Sequence, residues 1–368
     1  MIRRVKRAQI AQAVKNRKNS LILFFLPIIL TIIGLFFIFD ASSISAFRIF
    51  GDSFYFFKAQ AMWMMIGVTS MVFFSRFDYH KLYYLAFPAL IVSILLLVAV
   101  LIPGIGVTVL GARRWISFGG ASLQPSEIAK FGVILYLCSW FRYKERNRFG
   151  SFLLLLGLVM ALIMVQPDMG TAIIIGSLFV AVYYIAGNSL SHLLFLVPVG
   201  IAAALVLIKM APYRLKRLTV FLDPQSDPMG IGYHVNQILI SLSGGGIFGR
   251  GLSASRQKYQ FLPEAHTDSI FAIIGEEVGF VGSMLLIIAF VTLLANIYLV
   301  AQNSKDRLGQ LLAGAVFTLV CLQVVINLGS MVGVMPLTGV PLPFISYGGS
   351  SLLIFFSLMG VVINISRK

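Results

Sequence analysis

The chain has 368 residues, of which 59% are hydrophobic and only 11% charged, and it carries a formal net charge of +16. A soluble domain has about a quarter charged residues, so this composition excludes an ordinary soluble globular protein. A basic excess also suits a nucleic-acid binder, and the placement of the charges decides that question.

Apolar runs recur along the chain at about 20–40, 56–75, 83–102, 125–141, 151–165, 170–187, 189–210, 269–300, 309–333 and 350–366. A helix needs about 20 residues to cross the hydrocarbon core. The pattern therefore predicts an all-α polytopic membrane protein with about ten transmembrane helices, the runs at 125–141 and 151–165 being short. Basic residues (Arg3, Arg4, Lys6, Arg7, Lys15, Arg17, Lys18) precede the first run, as in a signal peptide. That run, from Leu21 to Phe39, is too long for a signal-peptide core and reads as a retained helix.

If the first helix starts in the cytoplasm, segments 1–19, 76–82, 142–150, the turn near Asn188, 301–308 and 367–368 share that side. They hold 17 of the 29 Lys and Arg, against the acids Asp78, Glu145 and Asp306. This is the positive-inside bias. It predicts a multi-pass membrane protein with both termini in the cytoplasm, and it accounts for the charge with no nucleic-acid partner. Cys138 and Cys321 fall inside apolar runs and read as packing residues.

No polar linker divides the chain, so 1–368 reads as one transmembrane domain with a basic cytoplasmic N-terminus at 1–19. Three outer segments are long: 103–124, 334–349 and 211–268, the last a large extracellular loop between helices 7 and 8. They are rich in Gly, Pro and aromatic residues. Irregular backbone at membrane depth is tolerated only where protein or a wet cavity covers it, so a site is expected on this outer face.

Acids are scarce enough to weigh singly. Asp40, Asp52, Asp223 and Asp227 sit in loops or at their edges and read as solvated turns or caps. Asp268 ends the stretch Leu262-Pro263-Glu264-Ala265-His266-Thr267-Asp268, just before an apolar run. It could cap that helix, which would lower its pKa; service as a base would require desolvation. Glu276 and Glu277 lie deeper in the same helix, and adjacent carboxylates cannot both face lipid, so a polar interior is expected around them. Arg113-Arg114-Trp115 lies in the first long segment, and Lys130 follows Gln124-Pro125-Ser126-Glu127, where Glu127 could pair with it or Lys130 could snorkel. The Asp168 of Gln166-Pro167-Asp168-Met169-Gly170 is as readily a helix cap as a ligand. The glycine-rich stretch from Gly244 to Gly251 lacks the Gly-Lys-Ser/Thr ending of a phosphate loop and reads as re-entrant or flexible. His234 and His266 have no zinc-site spacing.

These motifs resemble one family. Gly111-Ala112-Arg113-Arg114-Trp115-Ile116, Gln124 to Lys130, Gln166 to Thr171, the glycine-rich stretch with Leu262 to Asp268, Gly275-Glu276-Glu277 and Pro341 to Ser350 look like the signature segments, in order, of the SEDS proteins. That group includes FtsW, RodA and SpoVE. Ser255-Arg256-Gln257-Lys258 and Glu264-Ala265-His266 look more like FtsW or SpoVE than RodA. Ser269 departs from the pattern, which commonly has Phe there.

The resemblance implies a peptidoglycan glycosyltransferase that polymerises lipid II at the outer membrane face, for septal synthesis in cell division. It implies a class B penicillin-binding protein transpeptidase and other division proteins as partners. The family's proposed essential Asp maps onto Asp268. Arg114, Lys130, Arg256 and Lys258 are the cations available to a diphosphate, and Trp115, Glu264, His266, Thr267, Ser346 and Tyr347 complete the expected substrate contacts. A divalent cation, Mg or Mn, held by Asp268 or Glu264 could share the task of meeting the diphosphate, and no other cofactor is expected. The alternatives are a lipid II flippase and a RodA-type elongation polymerase. A flippase predicts polar residues along a full transbilayer path, whereas here they gather toward the outer side.

Overall fold

The computed structural model describes residues 2–109, 111–118, 121–143, 148–259 and 261–368, which leaves Lys144, Glu145, Arg146 and Asn147 of the basic 142–150 turn outside the described residues. Each apolar run is a helix: α1 (Ile2–Phe50), α2 (Tyr55–Arg76), α3 (Leu82–Ala99), α4 (Pro125–Trp140), α5 (Phe149–Val165), α6 (Met169–Ile185) and α7 (Leu190–Met210), then α10 (Ile270–Asn303), α11 (Arg307–Met331) and α12 (Gly349–Arg367). Among the described residues, seven spans are long and apolar enough to cross a membrane. At about 1.5 Å per residue, the 16 residues of α4 and the 17 of α5 and of α6 reach only about 25 Å.

Two segments differ from the all-helix, open-loop expectation. Residues 103–124 hold a small antiparallel sheet, β1 (Gly106–Val109), β2 (Ala112–Phe118) and β3 (Ala121–Leu123), in the order β1-β2-β3. The 211–268 segment contains α8 (Pro212–Leu222) and α9 (Ile231–Gly245). Their short length and mixed polarity hid them from a search for apolar runs.

The core is a bundle around α12, which is buried from Gly349 to Ser366 except at Leu353. Small residues let helices meet closely, as expected in lipid, where packing replaces the hydrophobic drive. A Cβ on Gly360 would stand 2.5 Å from the Met71 carbonyl, so α12 lies backbone against backbone with α2. Gly170 is similarly tight, with a Cβ 2.9 Å from the Thr338 carbonyl, whereas Gly157 meets nothing.

The sheet, the 211–268 segment and the 334–348 segment gather at one end of the bundle. At the other end, His80 lies between Asp78 and Asp306, and Lys368 pairs with Asp78 at 2.6 Å. Asn364 joins α12 to the α2–α3 turn, accepting from Tyr79 N and donating to the Ser75 carbonyl.

The glycine-rich loop has a structural task at depth. Helix α10 breaks at Gly279, where φ is 69° and ψ −166°. In a continuous helix the Glu276 and Glu277 carbonyls would accept from Phe280 and Val281. Here they accept from Arg250 N at 3.0 Å and Gly251 N at 3.1 Å, while Phe280 N and Val281 N donate to the Gly246 and Ile247 carbonyls at 2.9 and 3.1 Å. The loop thus satisfies four backbone groups left open at the break, as buried irregular backbone requires. The approach demands glycine: a Cβ on Gly249 would stand 2.1 Å from the Glu277 carbonyl oxygen. Helix α9 is therefore the descending arm of a re-entrant segment, and residues 250–268 climb back to the start of α10.

Candidate active site

Asp268 sits where that climbing strand meets α10, one residue before the N-cap Ser269. The capping bond open to it in sequence is not made. Its carboxylate accepts from Thr267 Oγ1 at a long 3.4 Å, and Ala272 N bonds the Ser269 carbonyl instead. The side chain is buried, with Asp268 only 9% exposed. Burial, and then the charge of Glu264, push its pKa from 3.8 up to about 7, against the opposing pull of Arg217. A carboxyl raised this far toward neutrality is suited to exchanging a proton with substrate.

Its backbone is held from below. Asn327 on α11 donates through Nδ2 to the carbonyls of both Asp268 and Val340, each at 2.8 Å. This ties the start of α10 to the 334–348 segment, which passes the carboxylate at Gly339. Ser269 Oγ lies 2.7 Å from His234 Nε2 on α9, so the residue that departs from the family pattern anchors the re-entrant helix to the site. Burial keeps the His234 pKa below its usual value.

The charged groups around Asp268 come from three segments. Arg114 on β2 donates to the carbonyls of Gln166, at 3.0 Å, and Pro167. Arg217 on α8 donates to the Leu337 carbonyl at 3.2 Å and feels the charges of Asp268, Arg114 and Asp168. Asp168 caps α6, accepting from Thr171 N at 3.1 Å and Thr171 Oγ1 at 2.8 Å, and also takes a bond from Gln124 Nε2.

Glu264 is exposed, at a φ of 50°, and accepts from Thr267 Oγ1 at 2.7 Å. His266 lies between Phe56 and Tyr347, with ring centroids 4.5 and 5.7 Å away, and burial depresses its pKa. Ser346 Oγ accepts from Leu342 N at 2.8 Å, which folds the turn that presents Tyr347. Trp115 is half-buried on β2, opposite Val107. Glu264 and Asp268 could share a divalent cation, but no third His, Cys, Asp or Glu joins them among the described residues.

Two sequence readings, of Lys258 and Asp40, require correction, and the structure decides between the two offered for Lys130. Lys258 is no free cation: its Nζ, in a residue 8% exposed, bonds Asp40 Oδ1 at 2.8 Å and the Ser253 carbonyl at 2.7 Å, with Glu277 Oε1 at 3.4 Å. Asp40 is correspondingly no solvated turn acid, because α1 runs on past it and buries it. Lys130 does not snorkel. It is 1% exposed and bound to Glu127 Oε1 at 2.6 Å. Arg256 is exposed, and its backbone N, not its side chain, bonds Glu276. The buried acids Glu276 and Glu277 receive Ser255 Oγ, Ser253 N, Ser255 N and Arg256 N, which locks the 250–258 strand to α10.

Sequence reasoning missed Arg217 and Asn327. Arg217 belongs to α8, whose other side carries exposed Leu215, Lys216 and Leu222. Asn327 is one of three amides, with Gln310 and Gln323, in an otherwise apolar run, a weak signal that in a membrane helix nonetheless points to a buried bond.

A multi-helix membrane bundle with a re-entrant segment and a buried carboxyl beneath arginines at one end defines a class of integral membrane proteins acting at the membrane surface. The comparisons make the assignment specific. The model of the FtsW, RodA and SpoVE cell cycle protein family matches residues 20–368, and the chain belongs to that family. It is 39% identical to stage V sporulation protein E of Bacillus subtilis over 359 residues, covering 96% of this chain and 98% of that one. It is 40% identical to a probable peptidoglycan glycosyltransferase FtsW of Coxiella burnetii over 345 residues, covering 91% and 93%. Among solved structures it resembles the rod shape determining protein RodA of Thermus thermophilus, at 27% identity and a TM-score of 0.69, covering 94% of this chain and 95% of that one. It also resembles a chain from a peptidoglycan synthase complex that coordinates polymerization and crosslinking, at 29% identity and a TM-score of 0.75, covering 94% and 96%.

Proposed function

We propose that this chain is a peptidoglycan glycosyltransferase that joins lipid II into glycan strands at the outer face of the cytoplasmic membrane, in septal wall synthesis. The observation that carries the reading is the desolvated Asp268 carboxyl, with a pKa near 7, at the end of the bundle where the irregular segments meet. The acceptor's sugar 4-hydroxyl gives its proton to Asp268 as its oxygen attacks the donor's anomeric carbon. The bond from that carbon to the diphosphate breaks, and undecaprenyl diphosphate leaves. An α-linked donor and a β-linked product need one inverting displacement and so one base.

Orientation follows from charge. The sequence segments that carry 17 of the 29 Lys and Arg, read with the positive-inside rule, assign both termini to the cytoplasm and Asp268 to the outer side. Residues 211–268 then begin and end on the outer side, with α9 and the glycine-rich loop dipping in from it, as part of the single 1–368 domain. Glu264, Thr267, His266, Tyr347, Ser346 and Trp115 form the surround that takes the sugars, and Asp268 is the base. A divalent cation on Glu264 and Asp268 would add positive charge to the diphosphate. The likeness to a peptidoglycan synthase complex supports a transpeptidase partner of the class B penicillin-binding type, alongside other division proteins.

Purified full-length chain, reconstituted with such a transpeptidase and given lipid II, is expected to yield glycan ladders on a gel. Transbilayer movement of a labelled lipid II without polymer would instead establish the flippase reading.

A further inference from the structure

With Lys258 committed to Asp40 and Glu277, and Lys130 to Glu127, two of the cations expected to meet a diphosphate are already neutralised inside the protein. Positive charge without a carboxylate partner is found elsewhere. Helix α8 turns two arginines inward, Arg214 and Arg217, and leaves Leu215, Lys216 and Leu222 outside. A surface helix normally does the reverse.

The acceptors of these arginines are neutral. Arg217 bonds the Leu337 carbonyl, and Arg214 bonds Tyr213 Oη at 2.8 Å and the Leu207 carbonyl at 3.0 Å. Tyr213 Oη in turn donates to the Pro167 carbonyl at 3.2 Å, the same carbonyl that Arg114 holds. One short chain of bonds thus gathers Arg114, Arg214 and Arg217 around the α5–α6 turn. None of the three has a carboxylate within ion-pair distance among the described residues. Asp268 and Asp168 act on Arg217 only through space. A guanidinium has five N–H donors, so most of this cluster's donors are unspent. Holding such charge away from water without a counter-ion is unfavourable, and a multivalent anion between Arg114 and Arg217 relieves it.

We propose that Arg217 of α8, together with Arg114 of β2 and backed by the buried Arg214, forms a seat for a lipid-linked diphosphate beside Asp268. This rests on the glycosyltransferase reading and supplies its leaving-group site. A lipid-borne source fits the surroundings. Helix α7 buries only Leu196, and it joins α8 directly at Ala211, so a lipid-facing apolar wall leads up to the arginines.

The test is binding of undecaprenyl diphosphate to the full chain in nanodiscs, with undecaprenol and inorganic pyrophosphate as comparison probes. Wild type should bind the lipid diphosphate well above both. Arg217→Gln should weaken it about tenfold or more, the worth of a charge-assisted bond. Arg217→Lys keeps charge and fold but loses the two-pronged geometry, and should weaken it several-fold. Lys216→Gln, on the outer side of the same helix, should change nothing. In buffer without divalent cations, Asp268→Asn should bind the lipid diphosphate no more weakly than wild type even when polymerisation is lost, because it removes a negative charge that acts on Arg217, and this separates the site from the catalytic assignment. Wild-type affinity in both Arg217 variants would overturn the proposal. So would an equal loss in Lys216→Gln, or pyrophosphate binding as tight as the lipid's.

Discussion

Lys258→Met tests whether this lysine is structural or a substrate ligand. Removing the ammonium strands the Asp40 carboxylate, in a residue 6% exposed, whose other oxygen already lacks a partner. It also takes one contact from Glu277, which keeps Ser253 N and Ser255 N at 2.9 and 3.1 Å. Breaking a buried pair by deleting one partner costs about 3–5 kcal/mol, because the remaining charge is uncompensated. Most of that should come from Asp40, so Asp40→Asn with Lys258→Met should recover roughly half, leaving about 1–3 kcal/mol for an amide that is poorly bonded. Unfolding free energies of purified protein in mixed detergent, compared around the cycle of single and double variants, give both numbers. If Lys258→Met unfolds within about 0.5 kcal/mol of wild type, the spread expected for an unconstrained surface site, the buried network is not what holds α1 to the re-entrant segment.

Gly249→Ala should destabilise by at least about 2 kcal/mol, since it adds a Cβ 2.1 Å from a carbonyl oxygen at a φ of 82°; unchanged thermal stability would contradict the loop's role at the α10 break. Asn327→Ala removes donors from the Asp268 and Val340 carbonyls and should cost about 2–4 kcal/mol, lowering the polymerisation rate while leaving diphosphate affinity near wild type. The rate itself should rise with pH on a limb centred near 7, because the base works ionised and its folded pKa is raised. The same shift makes Asp268 favour the folded state at low pH, a contribution lost as pH climbs from 3.8 through about 7, so its effects on activity and stability run in opposite directions. A flat rate between pH 6 and 8 would argue against Asp268 as the titrating group.

The helices were legible because membrane spans announce themselves: each apolar run became a helix. Asp268 was legible from its place at the end of a polar segment just before such a run. The errors concern contacts between segments distant in sequence. Lys258 and Asp40 are 218 residues apart, and nothing local in either tells that they share a proton-rich bond. The alternative reading of Asp268 as a helix cap fails because Ser269 holds the N-cap position and turns its hydroxyl to His234. Helices α8 and α9 lacked an apolar run, and with α8 went Arg217. The glycine-rich stretch was recognisable as re-entrant, but its partner was not. Only the break at Gly279 shows which carbonyls it was built to satisfy.

The central claim is that Asp268 is the base, and Asp268→Asn tests it most directly. Asparagine keeps the shape, accepts the same hydroxyl bond and leaves the Ser269 N-cap untouched, so fold and partner binding should persist. It cannot take a proton at neutral pH. Lipid II polymerisation by reconstituted complexes of equal transpeptidase content should therefore fall by about 10²–10⁴-fold, the usual contribution of a general base. Polymerisation by Asp268→Asn at the wild-type rate would contradict the account and pass the role to another carboxyl, with Glu264 the first to examine.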